Sequence, residues 1–385
     1  MNAVVDIVMT AYNAGAFLPE TLAAMRAQTF SDYRLIIVDD GSTDETPRIL
    51  AEAAADDPRI EVITQKNAGI VAASNVGLER CNAVYIARQD ADDIPDPTRL
   101  ERQVAYLEQH PDCVATGPLA RHIDEHGTVR QNYTTNRRDT ALANPYWIPA
   151  REPYLMHPFL MVRASAFHQT GGYRPMLGSE DSDLYWRLSE IGRLYNMPET
   201  LGSYRIHSGS ISSNSIGHGA RLAFCAQLAA ISAQRRREGR KDLEFTDELM
   251  QAVKREESVR GLFALGCQFV EGQERDWLEI SLAAKIIEIC FYRPFEPTPD
   301  DARFMAQAFG RHWGLMSAEN AKILRESIMT TAVRLAIKPG YRQQGFILVG
   351  KGAWPKLLGR AAFRTLLPTT LRDRIKKTVK GPAPA

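Results

Sequence analysis

The N-terminal half of the chain repeats one pattern: a short apolar run, a polar loop and then a helix. The apolar runs are Val4–Met9, Tyr33–Val38, Ile60–Thr64 and Ala83–Ala87. A repeated strand–loop–helix order is typical of an α/β protein with a doubly wound, mostly parallel sheet that is flanked by helices. Ligands of such sheets bind beyond the carboxyl ends of the strands, so we expect the four polar loops to share one crevice.

The fourth loop is the most acidic part of this pattern. Four carboxylates fall within seven residues: Asp90, Asp92, Asp93 and Asp96. Carboxylates this close repel one another unless a cation lies among them, and acid-x-acid spacing suits Mg²⁺ or Mn²⁺. Taken alone, the same residues are as typical of a solvated turn that caps the next helix, predicted from Pro97 to Glu108. The neighbouring loops decide between these readings.

The order of the four loop motifs resembles that of family 2 glycosyltransferases with the GT-A fold. The motifs are T-A-Y-N at 10–13, V-D-D-G-S-T-D at 38–44, N-x-G-x-x-x-x-x-N at 67–75 and D-A-D-D at 90–93. The similarity covers roughly residues 1 to 215, a little over half of the chain. The resemblance therefore implies a GT-A-type fold for this half and sugar transfer from a nucleotide-sugar donor.

The resemblance also implies roles for individual loop residues. Thr10, Tyr12 and Asp40 would hold the nucleotide base, and Asp39 would support its loop. Asp90 would lie near the ribose, and Asp92 would bind the divalent metal on the diphosphate. The third loop would add two further nucleotide-sugar contacts, Lys66 and Gly69.

The third loop departs from the family pattern at one position. Family members often carry Arg directly before the Asn of this loop, whereas this chain has Ser74 before Asn75. A positive contact to the nucleotide or the diphosphate is then either missing or supplied by Lys66 or Arg88. Both alternatives stay open, and no nucleotide identity follows from this loop.

A second acidic segment, Glu180–Asp183, precedes a helix. Carboxylates are favourable at a helix N-terminus by about 0.3–1 kcal/mol, which is sufficient to explain Asp183. The pattern E-D-x-D-L resembles the family's catalytic-base motif and implies that role for Asp181. An acceptor hydroxyl is a poor nucleophile until a positioned carboxylate takes its proton. The resemblance implies direct displacement with inversion, while a metal neutralises the leaving nucleoside diphosphate.

The last motif of this half, Y-R-x-H-x-x-S-x-S at 204–212, resembles the family's closing loop. The resemblance implies that His207 joins the metal or the diphosphate and that Arg205 contacts the diphosphate. A lone histidine is otherwise more often a structural residue than a ligand, and His157 receives that interpretation. The segment Pro145–Met156 is rich in Pro, Tyr and Trp and is expected to pack on the acceptor.

From about residue 217 the apolar spacing becomes helical. The predicted helices are Leu222–Arg235, Asp247–Glu271, Trp277–Phe291, Pro299–Trp313 and Ala318–Leu335. We therefore predict three parts: a catalytic domain at 1–215, a helical domain at 216–337 and a basic amphipathic tail at 338–385.

The tail differs from the rest of the chain in charge. It holds eleven Lys and Arg residues and one acid, Asp373, although the whole chain carries a net charge of +1. One apolar face is predicted from Leu357, Leu358, Ala361, Ala362 and Leu366. A basic amphipathic helix is typical of peripheral contact with an anionic membrane. The alternative is a terminal helix that docks on the protein and leaves a solvated charged face.

Composition limits the remaining classes. The five cysteines are scattered and form no C-x-x-C, which indicates reduced core residues rather than a disulfide framework or a zinc site. The sequence shows neither a signal pattern nor a run of about 18 apolar residues. We therefore expect a cytoplasmic protein, peripheral on the inner face of the membrane if the tail binds lipid. Basic and aromatic residues do not interleave as in nucleic-acid-binding segments, so we expect no nucleic-acid partner.

We predict an inverting, metal-dependent, non-processive glycosyltransferase. It would move a single sugar from a nucleoside-diphosphate sugar, with a UDP-sugar as the preferred donor, to a hydroxyl of a glycan or lipid-linked acceptor in surface polysaccharide or glycolipid assembly. A nucleotidyltransferase would need a phosphate-binding loop that Thr10–Gly15 does not offer. A non-catalytic nucleotide- or glycan-binding scaffold would not need all of Asp40, Asp92 and Asp181.

Overall fold

A computed structural model describes residues 3–131, 139–207, 209, 218–292 and 295–366. The chain forms two compact units. The first comprises Met1–Tyr146, Ala150–Asn214 and Leu228–Lys254. The second comprises Trp147–Pro149, Ser215–Gln227 and Arg255–Ala385. The three-part division at 215 and 337 stays a prediction.

The first unit contains one mixed sheet. Its strands within the described ranges are β1 (Val5–Ala11), β2 (Tyr33–Asp39), β3 (Ile60–Thr64), β4 (Tyr85–Asp90), β5 (Ile94–Pro95), β6 (Cys113–Ile123), β7 (Val129–Gln131), β8 (Met161–Arg163) and β9 (Arg193–Arg205). The sheet order is β3-β2-β1-β4-β8-β6-β9-β5, and β7 pairs with β6. Strands β1, β2, β3, β4, β6 and β9 run in one direction, and β5, β7 and β8 oppose them. The predicted α/β class with a mostly parallel sheet is confirmed.

Helices cover both faces of this sheet. They are α1 (Leu18–Arg26), α2 (Thr46–Asp56), α3 (Ile70–Glu79), α4 (Arg99–Gln109), α5 (Ala164–Thr170) and α6 (Glu180–Ile191). Ile7 and Met9 of β1 belong to one core cluster with residues of α1, α2 and α4. Val8, between them, belongs to the opposite cluster with residues of α3, α5 and α6. This alternation follows from the two-residue period of a strand, and it makes the sheet doubly wound.

The parallel register brings the strand ends to one edge. Thr10 of β1 lies opposite Val38 of β2 and Asp90 of β4. Asp39 of β2 lies opposite Thr64 of β3. The four polar loops therefore start side by side, at the edge where the sequence pattern predicted a shared crevice.

The C-terminal half is helical. Its helices in the described ranges are α7 (His218–Arg237), α8 (Asp247–Arg255), α9 (Val259–Gly266), α10 (Gln273–Tyr292), α11 (Pro299–His312), α12 (Ala318–Ile337), α13 (Arg342–Val349) and α14 (Trp354–Leu366). The predicted helical C-terminal region is confirmed. Within the described ranges, the model contains no helix that combines the length and the apolar character needed to span a bilayer.

Two details of the sequence prediction were wrong or incomplete. The single helix predicted at Asp247–Glu271 is two helices, because Ser258 starts α9 by accepting a hydrogen bond from the Gly261 N–H at 2.9 Å. The long strand β9 was missed, as was β5, which pairs with it. Strand β5 ends in Pro95 and pairs with β9 alone, which is where a residue without an N–H is tolerated.

Candidate active site

Side chains of the second loop fasten the first loop. The N–H groups of Asn13, Ala14 and Gly15 donate to Ser42 Oγ at 2.9 Å, Thr46 Oγ1 at 2.8 Å and Asp44 Oδ2 at 3.0 Å. These amides are therefore engaged within the protein. Tyr12, at the start of this loop, leaves 55% of its surface exposed, so its ring is accessible to a ligand.

The carboxylate of Asp40 holds the third loop. It accepts hydrogen bonds from Gln65 Nε2 at 2.7 Å, from the Ala68 N–H at 2.8 Å and from the Gly69 N–H at 2.9 Å. Gly69 has φ of +89°, a conformation that favours glycine, and α3 begins directly after it. Lys66 in the same loop is exposed. Asp40 thus orders the loop; its contact with a nucleotide base stays a prediction, as do those of Thr10, Tyr12, Lys66 and Gly69.

Asp39 supports the second loop. Its Oδ1 accepts a hydrogen bond from the Ser42 N–H at 3.0 Å, and its side chain is buried. This is the supporting contact that the motif resemblance implied for Asp39.

Three carboxylates converge where β4 ends. Asp90, Asp92 and Asp93 each offer an oxygen, and these oxygens lie within 4.8 Å of one another. Burial, together with the charges of Asp92 and Asp90, raises the pKa of Asp93 well above its ordinary value. Burial also raises the pKa of Asp90, against the lowering effect of Arg88. A bound cation would relieve both effects because it favours the ionised forms.

His207 reaches this acidic turn from the end of β9. Its Nε2 lies 2.9 Å from Asp92 Oδ2, and its Nδ1 accepts a hydrogen bond from the Gly209 N–H at 3.2 Å. The Phe17 ring lies against it, with 4.6 Å between ring centroids. The structure thus brings together the two residues predicted as metal ligands.

The acidic turn fits a hard divalent cation. Its donor atoms are carboxylate oxygens with one imidazole nitrogen at hand, and one further buried oxygen, Asp93 Oδ2, has no hydrogen-bond partner among the described residues. Mg²⁺ and Mn²⁺ prefer such oxygen-rich sites. Asp93 Oδ1, by contrast, is already engaged by the Arg205 N–H at 2.7 Å.

Arg205 anchors the acidic turn rather than reaching outward. Its side chain is 1% exposed. Its Nε donates to the Asp92 carbonyl at 2.9 Å, Nη1 to the carbonyls of Asp124 and Glu125 at 3.2 Å, and Nη2 to Glu20 Oε2 at 2.6 Å. Each guanidinium nitrogen therefore has a protein partner. A diphosphate contact by Arg205 stays a prediction, and the contacts seen favour a positioning role.

Arg88 is a second buried cation beside the acidic turn. Its Nη2 donates to Asp90 Oδ1 at 2.7 Å, and its Nη1 donates to Ser74 Oγ at 3.2 Å. The guanidinium therefore lies beside the position where family members often carry an arginine. Of the two cations that the sequence left open, Arg88 is in contact with the acidic turn through Asp90, whereas Lys66 is exposed.

The first turn of α6 forms the other side of the site. Asp181 Oδ1 accepts a hydrogen bond from the Ser182 N–H at 2.7 Å, and Ser182 Oγ donates to Glu152 Oε2 at 3.1 Å. Burial and the charge of Asp181 raise the pKa of Glu180 to about 7, with a smaller raising effect from Asp90 and a lowering effect from Arg88. The electrostatic influence of Asp90 and Arg88 on Glu180 links this turn to the end of β4.

Tyr173 is within electrostatic reach of both acidic turns. Burial raises the pKa of its phenol, as do the charges of Glu180, Asp181 and Asp90, while Arg88 lowers it. Acids from both turns thus act on one hydroxyl group. The backbone of Tyr173 is fixed by Asn75 of α3, whose amide accepts from the Tyr173 N–H at 3.0 Å and donates to its carbonyl at 2.9 Å. This explains why the third motif ends in Asn.

His157 and Asp183 have structural surroundings. His157 Nε2 lies 2.8 Å from the Tyr173 hydroxyl, and burial together with Arg88 holds the pKa of His157 well below its ordinary value, so the ring is neutral. Asp183 is fully buried and paired with Arg174 and Arg187. A stability role therefore suits Asp183 better than proton transfer.

Sequence reasoning missed two acids on the α6 side. Glu152 lies about thirty residues upstream of α6, and nothing in its local sequence marks it. Glu180 received no role in the site, because the sequence does not reveal that Asp90 and Arg88 influence it electrostatically. Ser208 and residues 210–217, which include the end of the closing-loop motif, lie outside the described residues.

Comparison with known proteins gives a consistent result. The family model described as "Glycosyl transferase family 2" matches residues 6–171, which span β1 to α5. The putative glycosyltransferase EpsE of Bacillus subtilis is 36% identical over 214 residues, covering 54% of this chain and 73% of its own length. An uncharacterized glycosyltransferase of Haemophilus influenzae is 31% identical, covering 54% and 67%. The amylovoran biosynthesis glycosyltransferase AmsE of Erwinia amylovora is 30% identical, covering 51% and 73%.

Proposed function

The chain belongs to glycosyl transferase family 2 and is a glycosyltransferase, and from this membership we propose that it transfers one sugar per binding event from a nucleotide sugar to an acceptor hydroxyl, with inversion. The observation that carries this proposal is the arrangement around Tyr173. Asp90 of the turn suited to a cation–diphosphate and Asp181, the carboxylate proposed to deprotonate the alcohol, both act electrostatically on the Tyr173 hydroxyl.

The donor side is assigned to the strand ends. The exposed ring of Tyr12 offers a stacking surface for the nucleotide base, beside the loop that Asp40 orders. Asp92 and His207 would hold Mg²⁺ or Mn²⁺, with Asp90 and Asp93 close by. When bound, this cation supplies positive charge that stabilises the departing nucleoside diphosphate. A UDP-sugar is the proposed donor.

The acceptor side is assigned to the first turn of α6. Asp181 would accept the proton of the acceptor hydroxyl as the oxygen attacks the anomeric carbon. Glu180 in the same turn, with its pKa raised to about 7, is the competing candidate for this role, and the two variants below separate them. One displacement without a covalent intermediate inverts the anomeric centre.

The acceptor is proposed to be a glycan or a lipid-linked glycan of a surface polysaccharide. Support comes from the relative named for amylovoran biosynthesis. Residues 338–385 are proposed to bring the enzyme to the inner face of the membrane, and a cytoplasmic location is part of the same proposal.

The two rival classes make different demands on this site. A nucleotidyltransferase would need free backbone N–H groups after β1, yet those of Asn13, Ala14 and Gly15 are bound by side chains of the second loop. A non-catalytic scaffold would bind the donor without releasing nucleoside diphosphate.

The test is nucleoside-diphosphate release from a panel of nucleotide sugars with Mn²⁺. We compare the natural chain with Asp181→Asn and, as a matched neighbour, Glu180→Gln. We expect Asp181→Asn to lower kcat by roughly 10²–10⁴ with little change in donor KM, because the base acts only in the transition state. Glu180→Gln is expected to keep kcat within about tenfold.

Three outcomes would overturn parts of the proposal. Full turnover by Asp181→Asn would remove the base assignment, and loss only in Glu180→Gln would transfer it to Glu180. Donor binding without release for every sugar tested would favour the scaffold. Thermal unfolding of each variant identifies losses that arise from misfolding.

A further inference from the structure

Helix α14 turns an apolar face outward. At about 100° per residue, one half of its circumference carries, besides Thr365, seven residues, all of them exposed in the described structure. They are Trp354, Pro355, Leu358, Gly359, Ala362, Phe363 and Leu366. The one buried residue of α14 is Leu357, on the opposite side. The sequence-based stripe placed Leu357 and Leu358 on one face, whereas the structure separates them.

Two basic residues of α14 pair with an acid of α12 and stay partly exposed. Arg360 Nη1 pairs with Glu326 Oε2 of α12 at 2.9 Å, and Lys356 Nζ lies 3.7 Å from Glu326 Oε1. A surface helix in water usually buries its apolar face, whereas most apolar residues of α14 are exposed. The buried Leu357 and the two ion pairs hold the helix on the protein, and its exposed apolar side is available to another partner.

The exposure on this face is contiguous. Leu358 is 54% exposed and Leu366 is 78% exposed, with Trp354 and Phe363 at 38% and 37%. Single exposed apolar residues are ordinary on a protein surface, but a continuous apolar face marks an interaction site.

Trp354 is placed to serve as an interfacial anchor. Its Nε1 donates to the Phe346 carbonyl at 3.2 Å, and its ring meets the Phe346 ring edge-on with 5.2 Å between centroids. The indole nitrogen is thus satisfied within the protein while part of the ring stays exposed. Tryptophans of this kind are enriched where proteins meet the boundary between water and lipid.

The charge of the residues near this face indicates which kind of partner it can bind. Residues 338–366 contain six Lys and Arg residues and no acid, and residues 367–385 add five against one acid. A partner must therefore offer apolar groups to the face of α14 and negative charge to the basic residues next to it. An anionic lipid bilayer has both properties. A second copy of this chain would bring the same positive charge and repel it.

We propose that the outward face of α14 inserts into the surface layer of an anionic membrane, with Trp354, Leu358 and Phe363 as the inserting side chains. The helix would lie in the plane of the interface, with the surrounding Lys and Arg residues against lipid phosphates. This inference deepens the membrane contact proposed above for residues 338–385 and rests on that proposal, and it would hold the enzyme where a lipid-linked acceptor is found.

The test is flotation of the full chain with vesicles of phosphatidylcholine alone and of phosphatidylcholine with phosphatidylglycerol. We expect binding to the anionic vesicles and weak binding to the neutral ones. Leu358→Glu is expected to lower the partition coefficient roughly tenfold or more, since the inserted side chain is lost and a negative charge is added. Val84→Glu, at an apolar residue that is 60% exposed on the first unit, is the matched control and should bind normally.

A spectroscopic measurement supports the assignment to this face. Trp354→Phe should remove most of the vesicle-induced blue shift of tryptophan fluorescence, while the other four tryptophans remain. Nucleoside-diphosphate release with a water-soluble acceptor should be the same for Leu358→Glu and the natural chain, so loss of lipid binding and loss of catalysis are distinguishable.

The proposal fails on any of three results. These are absence of flotation with both vesicle types, equal binding by Leu358→Glu and the natural chain, or a concentration-dependent dimer that Leu358→Glu dissociates. The last result would assign the face to a second copy of this chain.

Discussion

Two turns of the first unit each carry three acids within four residues, and they differ in how those charges are neutralised. In the first turn of α6, Asp183 is buried between Arg174 and Arg187. In the turn after β4, Arg88 pairs with Asp90, while Asp93 has a backbone N–H on one oxygen and no described partner on the other. Similar acidic sequences can therefore have different roles. The difference depends on how many arginine side chains the rest of the fold places beside the carboxylates.

The difference teaches what an acidic motif means. In the α6 turn, two arginines of the protein neutralise Asp183, and Asp181 in the same turn is the carboxylate that we propose for proton transfer. The β4 turn is incompletely neutralised, so it is suited to a cation that arrives from solution. Four substitutions sharpen or break this comparison.

The largest effect is expected for Asp92→Asn. Removing one carboxylate from the β4 turn should weaken Mn²⁺ binding and lower nucleoside-diphosphate release by roughly a hundredfold to a thousandfold. Calorimetric titration with Mn²⁺ alone measures the first quantity, and the release assay measures the second. Unchanged Mn²⁺ affinity would show that the two turns do not differ in the way we describe.

Asp183→Asn is the counterpart in the α6 turn. It should destabilise the protein by about 3–5 kcal/mol, because Arg174 and Arg187 would lose their shared buried partner. Mn²⁺ affinity of the folded fraction should not change. Denaturant unfolding checks the stability; a variant as stable as the natural chain would contradict the neutralisation described for this turn.

Arg88→Met removes the cation between the turns. We expect donor KM to rise by roughly tenfold to a hundredfold, since Asp90 loses its ion pair and the like charges of the β4 turn repel one another more strongly. Arg88→Lys retains the charge and should recover part of the loss. Equal KM values in all three proteins would leave Arg88 with a packing role only.

The smallest effect concerns Glu180. Its pKa is raised from 4.5 to about 7, so the folded chain keeps a proton in this window that the unfolded chain releases. The free energy of unfolding should therefore fall as pH rises from about 4.5 to 7. Glu180→Gln lacks this contribution and should lose less stability over that window, by roughly 1–3 kcal/mol. Parallel stability curves for the two proteins would count against the raised pKa.

The parallel part of the sheet could be predicted because its strands are continuous apolar runs. Tyr33–Val38 and Ile60–Thr64 were placed within one residue of β2 and β3. Strand β9 was not predicted, because its sequence shows neither a continuous apolar run nor a regular polar/apolar alternation, and it contains Pro198 and Gly202. Its partner β6 supplies the hydrogen bonds that make it a strand, and that partner lies far away in the sequence.

The same limit applies to the site. Motifs identified Asp40, Asp92, Asp181 and His207 as candidates, because each stands in a recognisable local pattern. Contacts such as Arg205 with Asp93, 112 residues apart, depend on the folded chain and have no local signal. The positioning role of Arg205 and the surroundings of Glu180 therefore emerged only from the structure.

The hydrogen bonds between the first three loops have a consequence for protein engineering. Asp40 accepts hydrogen bonds from backbone N–H groups of the third loop, and Ser42, Asp44 and Thr46 accept them from the first. In a chimera that exchanges one of these loops for that of a relative, groups in the neighbouring loops would lose their hydrogen-bond partners. Donor preference should therefore be transplanted as one cassette of three segments, at 10–15, 38–46 and 65–69, and not piece by piece.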